Sequence, residues 1–265
     1  MEKFHLELKH GKICCHRFGS GAKLLIAIHG FGDQGKSYAS FEKGLGDRYS
    51  IIAADLPFHG ETNWTETFYN RDDLLALIEN ILKIGPWQNF DLIGHSLGGT
   101  IALSISSHFG DTLDNLFLLA PGGVTVKDMA IPDMIPVSIR KWLAKNLKSG
   151  LIINLAESMK NLKLLDAYSL KVLKHHLGNR ANRDRLLQTW VSEYYFRLSL
   201  SKLETELAKR KKENTHFLFG KNDPLILTDK IESKLGSNSN IHYLEGGHRL
   251  INAQTARYLR DLITI

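Results

Sequence analysis

The 265-residue chain lacks the features that would set it apart from ordinary globular proteins. It has two cysteines, Cys14 and Cys15, and six prolines. Adjacent and alone, the cysteines make neither a disulfide framework nor a Cys-x-x-Cys metal or redox motif, which fits a reducing, cytoplasmic compartment. With 43% hydrophobic and 23% charged residues, collagen, coiled coil and extended disorder are excluded. The longest apolar runs, Leu24 to Ile28 and Leu116 to Ala120, fall far short of the ~20 residues that span a bilayer, so no membrane span is expected. Met1 to His10 is polar and charged, without the apolar stretch of an export signal. A chain of this length buries roughly 75% of its unfolded surface, enough for a large core without metal or disulfide.

Charge of one sign is only mildly in excess, at +6, too little to argue for nucleic acid. Its distribution is uneven: between Val124 and Arg185 stand twelve Lys/Arg against five Asp/Glu. Such a field favours the approach of anionic molecules, and it serves equally as a solubilising surface.

What is present begins with an alternation. Ile13 to Phe18, Leu24 to Ile28, Ile51 to Ala54, Phe90 to Ile93 and Leu116 to Ala120 read as strands, most of them continuous apolar runs suited to a parallel sheet covered on both faces. Asp72 to Ile84 and Leu97 to Phe109 between them read as helices. The rhythm breaks after Pro121-Gly-Gly123, and from Ser138 to Lys212 the pattern is only helical. Strands resume at Thr215 to Phe219 and Ile241 to Leu244, and a last helix covers Ile251 to Ile263. This predicts an α/β core from 1–123 and 213–265 with a mainly helical insertion at 124–212 whose last part may rejoin the core. The one charge run, Lys209-Arg-Lys-Lys212, reads as a solvated helix end complementing the helix dipole.

Three short motifs carry chemistry. Gly94-His-Ser-Leu-Gly98 joins a predicted strand to a predicted helix, the setting in which a strained turn presents a nucleophilic serine, here Ser96. A serine hydroxyl needs a base to take its proton and an acid to orient that base. His248 in Gly246-Gly-His248 and Asp223 in Gly220-Lys-Asn-Asp-Pro224 each follow a predicted strand, so all three fall at the carboxyl edge where open α/β sheets hold their sites. Taken singly, each has an ordinary explanation as a turn or a surface group; together and in this order they point to one constellation. The amides of Leu97 and Phe31, the latter in His29-Gly-Phe-Gly32 after the second strand, are candidate donors for a developing oxyanion.

With His-Gly-Phe-Gly at 29–32, Asp-Leu-Pro-Phe-His-Gly-Glu-Thr at 55–62, Gly-His-Ser-Leu-Gly-Gly at 94–99, Gly-Lys-Asn-Asp-Pro at 220–224 and Gly-Gly-His at 246–248, the chain resembles the α/β-hydrolase family, in its cap-bearing serine hydrolase branch. The resemblance implies an eight-stranded, mostly parallel sheet flanked by helices, with a helical cap between strands 6 and 7. It implies Ser96, Asp223 and His248 as nucleophile, acid and base, the Phe31 and Leu97 amides as oxyanion hole, and no cofactor. The expected activity is hydrolysis of a carboxylic ester or thioester. Carbon–carbon bond hydrolysis, a lyase step, or slow-turnover ligand binding in the same site are left open. Ser96 argues against the dehalogenases and epoxide hydrolases of this fold, which carry Asp at that position.

Substrate-contact candidates are Phe58, Met134, Ile135, Trp142 and Arg249. Apolar residues of the inserted helices serve internal packing as readily as a binding cavity, and Arg249 either meets a carboxylate or opens the final helix. The expected partner is a small acyl compound, in a monomer or a homodimer. His29, His59 and His95 read as local structural groups. No compact zinc motif such as His-Glu-x-x-His occurs, and no metal is expected. Gly30-Phe-Gly-Asp-Gln-Gly-Lys-Ser37 formally matches a phosphate-cradling P-loop, with Asp55 on a candidate Mg²⁺-binding strand; that rival predicts nucleotide binding through Lys36.

Overall fold

The computed structural model describes residues 1–122, 135–146, 154, 157–158, 160–161, 180–226, 231–235 and 239–263. Its frame is a nine-stranded sheet. The strands are β1 (Glu2–Leu8), β2 (Gly11–Phe18), β3 (Lys23–Ile28), β4 (Tyr49–Ala54), β5 (Asn63–Trp64), β6 (Phe90–His95), β7 (Leu113–Leu119), β8 (Thr215–Gly220) and β9 (Asn240–Leu244). They lie in the order β1-β2-β4-β3-β6-β7-β8-β9, with the two-residue β5 attached to β2. β1, β2 and β4 pair antiparallel, and every pairing from β4 through β9 is parallel. Leaving aside β5, the sixth and seventh strands in chain order are β7 and β8, and the mainly helical stretch separates them.

The parallel strands formed where continuous apolar runs leave no polar face. Every residue of β4, β6 and β8 is buried, as are five of the six residues of β3, the signature of strands covered on both sides. β1, like the two-residue β5, is absent from the sequence reading. Its side chains alternate, with Phe4, Leu6 and Leu8 half-buried and the rest exposed, so a half-buried edge strand lay within what looked only like a polar terminus.

Helix α1 (Ala39–Leu45) follows β3, α2 (Arg71–Lys83) precedes β6, and α3 (Leu97–Ile105) connects β6 to β7. Asn70 caps α2: its side chain accepts from the amides of Asp72 (2.9 Å) and Asp73 (3.3 Å), while Asp73 accepts from the Asn70 amide at 2.9 Å. This reciprocal box satisfies donors that the first turn leaves without a partner. Leu74, Leu77, Ile78 and Ile81 form the buried stripe of α2, whereas all nine residues of α3 are buried, which places α3 in the interior.

The chain divides into two compact units, Met1–Met129 with Tyr195–Ile265, and Ala130–Tyr194. Helices α4 (Val137–Asn146) and α5 (Arg180–Glu193) lie in the second unit. They are organised around the fully buried Arg140, whose guanidinium stacks over the rings of Trp190 (4.9 Å) and Tyr194 (5.6 Å) and donates to the carbonyls of Ile135 (2.9 Å) and Trp190 (3.2 Å). Helix α6 (Leu200–Ala208) belongs to the first unit, with α7 (Ile231–Leu235) and α8 (Ala253–Leu262).

The basic run after α6 departs from expectation. Arg210 is not a solvated helix end: it is half-buried and donates to the hydroxyl of Thr215 (3.2 Å) and the carbonyls of Leu113 and Asp114 (both 3.3 Å), clamping the starts of β7 and β8. Burial, partly offset by Asp91 and Asp114, lowers its pKa.

Candidate active site

Strand β6 runs to His95 and α3 begins at Leu97, so Ser96 alone makes the turn. Its backbone sits at φ 52°, ψ −116°, a region that a side chain rarely occupies and that costs about 1–3 kcal/mol unless the surroundings impose it. They do so here. The Ser96 amide donates to the carbonyl of Leu119 at 2.8 Å, and its own carbonyl accepts from Thr100 (3.1 Å) and Gly122 (3.2 Å). The flanking glycines are steric necessities: a Cβ on Gly94 would stand 2.2 Å from the Gly98 carbonyl oxygen, and one on Gly98 would stand 2.2 Å from that of Ile28.

Asp223 lies just past β8 and His248 just past β9, and their loops are stitched by backbone bonds. Lys221 donates to Leu244 and Asn222 to Gly246, each at 2.9 Å. Gly220 allows this approach, since a Cβ there would meet the Gly247 carbonyl at 2.2 Å.

The three side chains meet. His248 Nδ1 and Asp223 Oδ2 are 2.7 Å apart, and His248 Nε2 and Ser96 Oγ are 3.1 Å apart. Asp223 Oδ1 accepts from the amides of Leu225 (2.8 Å) and Ile226 (3.2 Å). Burial by itself raises the Asp223 pKa, but the His248 hydrogen bond and charge and the two amides outweigh it and hold the carboxyl below its ordinary value. The carboxylate is therefore ionised and Nδ1–H points to it, which leaves the Nε2 lone pair facing the serine hydroxyl.

His95 supports this arrangement. Its Nε2–H donates to the His248 carbonyl at 2.9 Å, and burial pushes its pKa down to about 4, so it stays neutral near pH 7. His29 likewise works locally: Nδ1–H donates to the Gly30 carbonyl (2.7 Å) and Nε2 accepts from the Leu56 amide (3.0 Å). Leu97 opens α3 immediately after Ser96, where amides lack helical acceptors. Phe31 lies in the loop after β3, and that loop passes the serine, since a Cβ on Gly30 would stand 3.2 Å from Ser96 Cβ.

A family profile described as alpha/beta hydrolase fold matches residues 23–149. The thermophilic esterase from Thermogutta terrifontis superposes with a TM-score of 0.69 over 100% of this chain and 98% of that one, at 15% identity. The thioesterase domain from the curacin biosynthetic pathway gives a TM-score of 0.65 over 100% and 99%, at 20% identity. The chain has the α/β-hydrolase fold. The uncharacterized hydrolase YugF of Bacillus subtilis is 30% identical over 158 residues, covering 57% of each chain. The chain spans about a fifth to just over half the length of the curated relatives it matches.

The other candidates are scattered in environment. Phe58 is half-buried at φ 69°, its ring 6.0 Å from that of Tyr69. Ile135 is half-buried, its carbonyl bound by Arg140. Trp142 is 62% exposed; two residues beyond the buried Arg140 it stands about 200° around the helix, so it does not pack inside its unit. Arg249 is exposed, and the final helix is capped by Asn252, which accepts from Thr255 N at 2.9 Å, not opened by the arginine. Met134 lies outside the described residues.

The phosphate-loop motif is turned inward. The Ser37 hydroxyl donates to Asp33, the Gly35 amide donates to Asp55 Oδ1 (2.7 Å), and Lys36 is exposed. Groups that would cradle a nucleotide are spent on the loop itself. The sequence reading missed Asp55 as an organising group: its other oxygen accepts from the Glu61 amide at 2.8 Å, and Gly60 at φ 56° leaves room that a Cβ would close, 1.9 Å from that carboxylate. The spacing of Asp55 and Gly60 within one loop was the available signal.

Proposed function

We propose that the chain is a serine hydrolase that cleaves a carboxylic ester or thioester through an acyl-enzyme on Ser96. His248 takes the Ser96 proton as Oγ attacks the carbonyl carbon, and returns it to the leaving alcohol or thiol. Asp223 holds the imidazole in the productive tautomer and stabilises the imidazolium. The amides of Phe31 and Leu97 stabilise the tetrahedral oxyanion, each such donor being worth ~10²–10³ in rate. Water, activated by the same His248, then releases the acid and regenerates the serine.

The observation that carries this reading is the unbroken Ser96–His248–Asp223 hydrogen-bond chain, with distances of 3.1 and 2.7 Å, on a serine held at positive φ. The nucleophile is an alcohol, which supports acyl transfer over the alkyl-enzyme chemistry of an aspartate elbow. The basic excess of the 124–185 segment supports an anionic acyl compound as substrate.

The test is labelling with a fluorophosphonate probe, followed by a panel of acyl esters and thioesters of graded chain length. The wild type is expected to label promptly and Ser96→Ala not at all, with hydrolysis lost in the same variant. Folded wild-type protein that neither labels nor hydrolyses any member of the panel would overturn the reading.

A further inference from the structure

We propose that Cys14, His16 and Asp55 form a divalent transition-metal site of zinc-like preference, separate from the serine site. Cys14 and His16 point to one side of β2, being two residues apart in a strand, and Asp55 follows directly on β4, the neighbouring strand. Their donor atoms, Cys14 Sγ, His16 Nε2 and a carboxylate oxygen of Asp55, all lie within 4.8 Å of one another, and all three side chains are buried.

Two of the three edges between these donor atoms have the lengths of a coordination tetrahedron. Zinc–ligand lengths of ~2.3 Å to sulfur and ~2.0–2.2 Å to nitrogen or oxygen put a sulfur–nitrogen edge at about 3.6 Å and a nitrogen–oxygen edge at about 3.4 Å. The observed separations are 3.7 Å for Sγ to Nε2 and 3.3 Å for Nε2 to Oδ1. The carboxylate is already set in place by the amides of Gly35 and Glu61, so ordering it for a metal costs nothing further.

Charge also balances: a dication with one thiolate and one carboxylate is neutral, which suits a buried site. A cysteine thiol is ordinarily protonated near pH 7. Binding then forms the sulfur–metal bond, releases that proton to solvent and moves the imidazole proton to Nδ1, which is buried and without a hydrogen-bond partner. A mixed thiolate, imidazole and carboxylate set selects zinc or its cobalt(II) surrogate over magnesium or calcium.

The experiment is titration of chelator-treated full-length protein with Co²⁺, both folded and refolded in the presence of the ion, recording the thiolate-to-cobalt charge-transfer band and the protons released. One equivalent of Co²⁺ giving that band, displaced by Zn²⁺ and absent in Cys14→Ser but retained in Cys15→Ser, is expected. With only two cysteines in the chain, the band identifies its ligand. Should Cys14→Ser fail to fold, His16→Gln is expected to weaken Co²⁺ binding at least tenfold. No charge-transfer band in the wild type, or binding that survives these substitutions, would overturn the proposal. It stands or falls independently of the serine chemistry.

Discussion

Replacing Asp223 by Asn isolates what the carboxylate does. Two backbone amides, from Leu225 and Ile226, donate to Oδ1 at 2.8 and 3.2 Å, so an asparagine in this place keeps its oxygen toward them and turns its amide nitrogen toward His248. That NH₂ donates to Nδ1, which must then be the unprotonated nitrogen. The imidazole proton moves to Nε2, 3.1 Å from Ser96 Oγ, where it can donate but not accept. Geometry is preserved and the base is lost. A triad put in the wrong tautomer forfeits ~10⁴ in kcat, equivalent to about 5 kcal/mol of transition-state stabilisation. Turnover of an activated ester and the rate constant for fluorophosphonate labelling are both expected to fall by this order, in a variant that still folds near neutral pH. A folded Asp223→Asn variant within tenfold of wild type would refute the reasoning, since the orienting bond would then have no catalytic consequence.

Ser96→Gly relieves a side chain at φ 52° and is expected to raise stability by about 1 kcal/mol in denaturant titration while abolishing labelling. Gly98→Ala drives a methyl to 2.2 Å from the Ile28 carbonyl oxygen; backbone cannot yield as a flexible side chain would, and a loss of at least 1–3 kcal/mol is expected from the same titration. Because the folded Asp223 pKa lies below its unfolded value, its stabilising contribution is present above the ordinary carboxylate range and disappears as pH falls through the depressed folded value. The stability gap between wild type and Asp223→Asn, measured by denaturant titration from pH 7 downward, is expected to close in acid.

Much of this architecture was legible because burial on both faces writes itself as uninterrupted apolar sequence. Leu24 to Ile28, Ile51 to Ala54 and Thr215 to Phe219 all lie within strands β3, β4 and β8. The meeting of Ser96, Asp223 and His248 could be anticipated for a related reason: each stands within a few residues of the end of an expected strand. Reading failed where signals were short or nonlocal. β1 alternates with only three apolar residues, and β5 has two residues in all. Arg210 sat in a basic run that looks solvated, yet its partners Leu113 and Asp114 lie nearly a hundred residues away. The approach of Cys14 and His16 to Asp55 was likewise invisible, because β2 and β4 are neighbours through an antiparallel pairing that local pattern does not encode. Trp142 looked like packing on helical spacing, but the buried side of its helix is the opposite one, held by Arg140.

The backbone bonds between the two loops that follow β8 and β9 have a mechanical consequence. Since Asn222 and Lys221 are tied to Gly246 and Leu244, any breathing of the last strand drags the aspartate and the imidazole as one leaf, and their mutual distance is conserved. The serine rides on a different leaf, anchored to β7 and to the turn at Gly122, and the His95 side chain bridges the gap by gripping the His248 carbonyl. That bond ties the imidazole's backbone to the serine's neighbour, across the joint through which a proton is to pass.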